Sequence, residues 1–273
     1  MIDLKDNGKT IIAMIHAGAL PGTPMHCQSV NEIIDQSILE ADIYLSTGAD
    51  AILIENMHDV PYTNGYAPAE IIATMTAIAV ELRKLTPKPI GIQILAGANK
   101  EALAVAYSAS LNFIRAEGFV FGHVADEGYI ESCAAELLRY RKYIGAENIA
   151  VYTDVKKKHS SHAITSDVSL ADTIHAAEFF LSDGIIITGS ATGKKADLEE
   201  VKTASRSTKL PVIVGSGITV ENISSYWEYA DAFIVGSHFK KNGDWKQPVD
   251  ADRVTKFMKE IQILRSQKSN NKE

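Results

Sequence analysis

The chain has 273 residues, 46% hydrophobic and 22% charged, an ordinary composition for one large α/β barrel or two small domains. Its formal net charge of −7 excludes bulk electrostatic attraction to nucleic acid. Cys27 and Cys133 lack CxxC spacing, the amino terminus has no apolar signal core and no apolar run could span a bilayer, so a soluble, cytoplasmic chain is expected.

The first predicted strand is Thr10–His16, followed by an irregular loop rich in Gly and Pro. Ser29 and Glu32 have capping-box spacing and open a helix that runs to about Thr47, with Gly48 as its C-cap. A strand follows at Ala51–Glu55, then a helix at Ala69–Leu85 that stops before Thr86-Pro87. The third strand is Ile90–Leu95 and its helix Glu101–Ala109; the fourth is Phe113–Arg115, with a helix from Tyr129 to Tyr143. The fifth strand is Ile149–Val155, with a basic loop and a helix at Ser169–Leu181. The sixth is Gly184–Thr188, with a helix at Leu198–Ser205. Two further apolar runs, Pro211–Val214 and Ala232–Val235, each end in Gly-Ser and are separated by a short amphipathic helix; Ala251–Leu264 is the last helix.

This unbroken alternation of short apolar strands and helices predicts a single (β/α)8 TIM barrel over residues 1–268, with a polar tail at 269–273. A doubly wound open sheet is the competing architecture, but no GxGxxG follows an early strand, so no nucleotide cofactor is expected. The long loops all follow strands, which puts the elaborated end at the carboxyl-terminal face, where barrel active sites lie.

Side chains alternate along a strand, so polar residues of one parity at the strand ends should converge on the barrel mouth. They are His16, Glu55, Gln93, Arg115, Glu117, Asp154, Lys156, Thr188, Ser216 and Ser237. Glu55 and Asp154, carboxylates at the rim of a dry core, need a function or a partner, with Lys156 or Arg115 as the candidate partners of Glu55. Together the two carboxylates are also the expected ligands if a divalent metal binds. His16 is a candidate acid/base, or else a satisfied rim histidine. Of the run Lys156–Lys158, otherwise a solvated charge cluster, Lys156 is in phase with Asp154 and is the candidate catalytic amine, phosphate contact or Schiff-base lysine. Gly215, Ser216 and Gly217, with Gly236 and Ser237, form the expected phosphate cradle, since glycine admits backbone N–H groups to an anion and a helix N-terminus adds its dipole. Their plainer reading is tight strand-to-helix turns. Gly189–Lys195 resembles a P-loop but is one residue short and lacks the magnesium-binding Ser/Thr, which leaves Gly189 or Thr192 as ligand contacts on an ordinary loop. Asn222-Ile-Ser224 is a glycosylation sequon by pattern only.

The stretches MIHAGALPGTP (14–24), GADAILIENMHDVPY (48–62), ELLRYRKYIGA (136–146), DVKKKHS (154–160), IITGSATG (186–193), PVIVGSGIT (211–219) and IVGSHFKKNGDW (234–245) together resemble the BtpA/SgcQ family over nearly the whole chain. The resemblance implies a barrel of the ribulose-phosphate-binding type. One family member is tied to photosystem I accumulation and another lies beside sugar-uptake genes. The family's loop motifs fall here on His16, Glu55, Asn56, Asp59, Asp154, Lys156, His159, Gly189, Thr192, Gly193, Gly215, Ser216, Gly217 and Gly236. Two mouth positions depart from it: residues 95–98 read LAGA where relatives read LRND, and residues 114–117 read IRAE where they read IRVN. That pair of changes implies a divergent subfamily with another substrate.

The expected function is an enzyme acting on a small phosphorylated or sugar-like metabolite by lyase, isomerase or hydrolase chemistry. His16, Glu55 and Asp154 would be its acid/base candidates, and Arg115 or Lys156 would stabilise negative charge. The alternative is a non-catalytic assembly factor for a membrane complex, which predicts an exposed apolar patch and a dispensable mouth. A nucleotide hydrolase is disfavoured by the failed P-loop, and homo-oligomer formation is left open.

Overall fold

The computed structural model describes Leu4, residues 9–189 and residues 191–270, the side chains of 268–270 excepted. Its elements run β1 (Thr10–His16), α1 (Val30–Ser46), β2 (Ala51–Glu55), α2 (Ala69–Leu85), β3 (Ile90–Gln93), α3 (Asn99–Ser108), β4 (Phe113–Ala116), β5 (His123–Ala125) and β6 (Gly128–Ile130). They continue with α4 (Ala134–Tyr143), β7 (Ala150–Asp154), β8 (Ser160–Ser161), α5 (Leu170–Phe179), β9 (Gly184–Ile187) and α6 (Leu198–Ser207). The last are β10 (Val212–Val214), α7 (Ile223–Tyr226), β11 (Ala232–Val235) and α8 (Ala251–Asn270).

Eight parallel strands close into a barrel in the order β1-β11-β10-β9-β7-β4-β3-β2. Each strand is apolar on both faces because both are covered, and the two faces feed separate cores. Ile12, Met14, Leu53, Phe113, Tyr152, Ile186, Ile213 and Ile234 fill the barrel interior. Their strand neighbours, such as Ile11, Ile52, Ile92, Val151 and Ile185, pack outward against the helices. Each fully buried aliphatic side chain contributes about 1.5–3 kcal/mol. The interior is filled by unequal partners: a Cβ on Gly91 would lie 2.2 Å from the Phe113 ring, so glycine there makes room for the phenyl group in the next strand.

The Ser29–Glu32 capping box forms as the spacing predicts, with Ser29 N–H donating to Glu32 Oε2 at 2.7 Å. Ser169 and Asp172 make a second one at α5. Other boundaries differ. The helix expected from Tyr129 begins only at Ala134, because Gly128–Ile130 pairs antiparallel with β5 in a hairpin that β8 joins from its other side. The chain turns there at Gly128, whose positive φ of +111° an L side chain rarely adopts. This three-stranded sheet stands beside the mouth. The amphipathic helix expected after Gly217 is the single turn α7. The expected polar tail is in part helix: α8 continues six residues past Leu264 to Asn270, and residues 271–273 lie outside the described residues. No helix among the described residues is long and apolar enough to cross a membrane.

Candidate active site

Parity brings His16, Glu55, Gln93, Arg115 and Asp154 together, each the last inward-facing residue of its strand and each buried. Register holds the first three in line, with His16 beside Glu55 and Glu55 beside Gln93. Arg115 and Asp154 form a two-pronged ion pair, Nε to Oδ2 at 2.8 Å and Nη2 to Oδ1 at 2.9 Å. Glu117, the acid that departs from the resembled motif, is fixed from three sides. It accepts from Gln93 Nε2 (3.2 Å) and Lys157 Nζ (3.1 Å), and Asn99 grips its backbone through both N–H and C=O.

Lys156 departs from its expected position. Alternation ends at Asp154, and Lys156 takes a left-handed turn with φ +49° that swings its ammonium onto the Val168 carbonyl, 2.7 Å away. It pairs with neither Glu55 nor Asp154. The next two lysines take the mouth instead: Lys157 on Glu117, and Lys158 on the wall of the central cavity beside Glu55 and Arg115. Treated as a solvated run, both were missed; the signal available was a basic stretch directly after a strand carrying a buried acid.

Several glycine and serine candidates serve the loops. Ser216 Oγ accepts from the Gly189 N–H at 2.7 Å and donates to the Lys194 carbonyl at 3.0 Å, so it staples the β9 loop to the β10 loop. Gly217 has φ +64°, and a Cβ there would lie 2.4 Å from the Lys194 backbone; close crossing of two chains accounts for this glycine. Thr188 Oγ1 accepts from the Lys158 N–H at 3.2 Å and so sets the lysine loop. Thr192 is bound through its N–H and hydroxyl to His159 Nε2. Asn56 and Asp59 bond each other and reach Leu95 N–H and Leu20 N–H, tying the loops after β1, β2 and β3 together.

A cavity of about 170 Å³ opens at the mouth, room for on the order of ten water-sized groups. One side carries His16, Glu55, Arg115 and Lys158; the other carries Gly193, Gly217, Ser237, His238 and Arg253, with Gly215 and Gly236 at the strand ends between them. The backbone N–H groups of Gly217, Ile218, Ser237 and His238 meet no acceptor among the described residues, and they border this space. A one-turn α7 supplies little macrodipole, so the expected helix contribution is replaced by free amides and the Arg253 guanidinium. Arg253 was not foreseen, because it comes from the first turn of α8. Its Nε donates to the His238 carbonyl at 2.7 Å and its Nη2 lies 3.3 Å from His238 Nδ1.

Burial pushes the Glu55 carboxyl above its ordinary range, against the opposing charges of Lys158 and Arg115. Burial, then the charges of Lys240 and His58, hold His16 well below its ordinary value, which keeps it neutral. His16 Nε2 lies 3.6 Å from Glu55 Oε2, too long for a hydrogen bond and close enough to pass a proton through a bound group. Both Asp154 oxygens are engaged by Arg115, so Glu55 and Asp154 offer only one uncommitted carboxylate to a metal. Among the described residues no group of three or more His, Cys, Asp and Glu is arranged to hold a metal.

Burial, with Arg253, drives His238 down to about 4, and burial, with Lys157, drives His123 to about 4. An unfolded histidine titrates at about 6.5, so between about pH 6.5 and 4 the unfolded chain binds more protons. Stability from these two groups is full above that window and is lost as pH falls through it. Glu40 and Glu55, raised by burial, oppose this trend. The expected result is therefore a difference: thermal midpoints of His238→Asn and His123→Asn should fall less between pH 7 and pH 4.5 than those of the parent. Equal slopes would mean the histidines are not desolvated.

A family model described as "BtpA family" matches residues 7–263. An uncharacterised mitochondrial protein of Caenorhabditis elegans is 48% identical over 267 residues, covering 96% of each chain. The photosystem I biogenesis protein BtpA of Synechocystis is 32% identical over 251 residues, 91% of this chain and 86% of that one. Among solved structures, orotidine 5′-phosphate decarboxylase of Pyrococcus horikoshii superposes with a TM-score of 0.56 at 14% identity, covering 92% of this chain and 99% of the other, a likeness of fold.

Proposed function

Because the chain belongs to the BtpA family, whose relatives leave its chemistry open, we propose that it is an enzyme acting on a small phosphorylated metabolite at the barrel mouth. The observation that carries this reading is a single cavity with two chemically distinct walls. Unbonded backbone amides and Arg253 make one wall an anion cradle. On the other wall the raised carboxyl of Glu55 and the neutral imidazole of His16 can exchange a proton with whatever the cradle anchors. The remote phosphate would then supply binding energy while the reacting carbons sit over Glu55. Arg115, fixed by Asp154, would stabilise developing negative charge. The orotidine 5′-phosphate decarboxylase likeness supports a barrel suited to phosphorylated ligands and nothing finer.

The name of the Synechocystis relative favours a second reading, an assembly factor for a membrane complex. Phe179, Leu181 and Tyr143 support it, being exposed near the carboxyl ends of α5 and α4, at the end of the barrel away from the mouth. The two readings separate on ligand binding. Calorimetric titration with inorganic phosphate and with ribose 5-phosphate should give saturable binding, and Arg253→Ala should weaken it by roughly 10–100-fold, the worth of one charged hydrogen bond. An unbound parent protein, or an Arg253→Ala variant that binds equally, would remove the cradle.

A further inference from the structure

Four cations crowd the reacting wall of the mouth and its flank, and three are committed. Arg115 is paired with Asp154, Lys157 with Glu117 at 3.1 Å and Lys240 with Glu40 at 2.6 Å. The fourth, Lys158, has no carboxylate partner within ion-pair distance among the described residues. Its Nζ makes one long hydrogen bond, 3.4 Å to Thr192 Oγ1, and it forms part of the cavity wall together with Glu55. A site that only needed a fixed positive charge would be better served by arginine, which cannot lose its proton and binds oxyanions with two prongs. Here the chain spends Arg115 on Asp154 and presents a loosely held primary amine to the ligand space.

We propose that Lys158 is a nucleophilic amine that forms an imine with a carbonyl carbon of the bound metabolite, which makes the substrate a phosphorylated aldehyde or ketone. This rests on the phosphate-cradle reading for the phosphate alone; the amine's chemistry is independent of it. The lysine needs its neutral form, and burial, then the neighbouring charge of Arg115, lower its proton affinity in that direction. Glu55 is the proton carrier, and of the charges around it Lys158 acts on it most strongly. In the first step the ammonium passes one proton through a bridging water to the Glu55 carboxylate, which lies beyond direct ion-pair distance. The nitrogen lone pair forms the N–C bond while the carbonyl π pair moves to oxygen, which takes the proton from Glu55. In the second step a further nitrogen proton reaches that hydroxyl by the same route and the C–O bond breaks. Water leaves, and the nitrogen pair closes the C=N bond. Two ammonium protons depart with the carbonyl oxygen, the product is a protonated imine, and no oxidant or reductant is consumed. The cation then draws electrons from the adjacent carbon, which is what carbon–carbon cleavage or proton transfer next to a carbonyl requires.

The test is reductive trapping on the full chain. The protein is incubated with dihydroxyacetone phosphate, with dihydroxyacetone and with glyceraldehyde 3-phosphate, each with and without borohydride, and lysines are mapped by peptide mass spectrometry. Labelling at Lys158 is expected to exceed that at Lys156, Lys157 and surface lysines by at least about tenfold, with none at that position in Lys158→Arg. Because mapping is done on the parent protein, a poorly folded variant does not weaken the result. Phosphate binding without selective label at Lys158 would overturn the imine and leave the cradle standing. Selective label by dihydroxyacetone, with no advantage from its phosphate, would keep the amine and overturn the cradle. No binding and no selective label would remove both.

Discussion

Replacing Arg115 by methionine is expected to destabilise the chain by about 3–5 kcal/mol, the cost of leaving a buried charge without its partner. Arg115 and Asp154 side chains are 3% and 1% exposed, and each carboxylate oxygen accepts one guanidinium hydrogen bond. Removing Arg115 strands Asp154 beside Glu55 and Glu117, both already short of solvent. Urea unfolding would read the loss directly. The double variant Arg115→Met with Asp154→Leu should recover most of it, because an apolar pair carries no desolvation penalty. A single variant costing under about 1 kcal/mol, the range of exposed pairs, would mean that water reaches this pair in solution. The same geometry makes Asp154→Asn a poor probe of catalysis, since it would leave Arg115 under-partnered and confuse folding with chemistry.

Glu55→Gln is the cleaner chemical probe, and its expected effect on turnover is a loss of roughly 10²–10⁴-fold, the usual worth of a positioned acid/base. Glu55 has no ion-pair partner nearer than His16 at 3.6 Å, so the neutral amide breaks no strong bond. Burial disfavours its charge, so the substitution should leave the unfolding midpoint unchanged or raise it at neutral pH. Turnover would be followed on a panel of sugar phosphates by product chromatography, with phosphate affinity measured alongside. Intact turnover in the variant would exclude Glu55 as the proton carrier, whereas intact affinity with lost turnover would separate the reacting wall from the cradle.

The two walls differed in how legibly the sequence wrote them. His16, Glu55, Gln93, Arg115 and Asp154 could be read by counting, because strand geometry points every second side chain inward and the strands stop at a common level. Lys156 failed by the same counting. Alternation holds only while the backbone is extended, and the chain leaves that state at the left-handed turn after Asp154. Two residues later Lys158 reaches the site that Lys156 was expected to occupy. Glycine signals were ambiguous for a related reason. Gly217 is required by the crossing of the Lys194 backbone, and no local pattern distinguishes that demand from an anion's.

By itself the sequence determined the alternation of strands and helices, hence the barrel, and the polar ring at its carboxyl-terminal end. These follow from local rules: burial periodicity, capping and the direction of side chains on a strand. It also carried the family to which the chain belongs, through motifs spread over its whole length. Only the tertiary structure decided which charges pair and which remain free. Arg115 finds Asp154, Lys157 finds Glu117 and Lys240 finds Glu40 across separations of 39, 40 and 200 residues. Pair choice depends on distances and desolvation that exist only once the barrel closes. The same closure brings Arg253 of α8 against the loop after β11 and leaves Lys158 as the mouth amine without a carboxylate partner among the described residues.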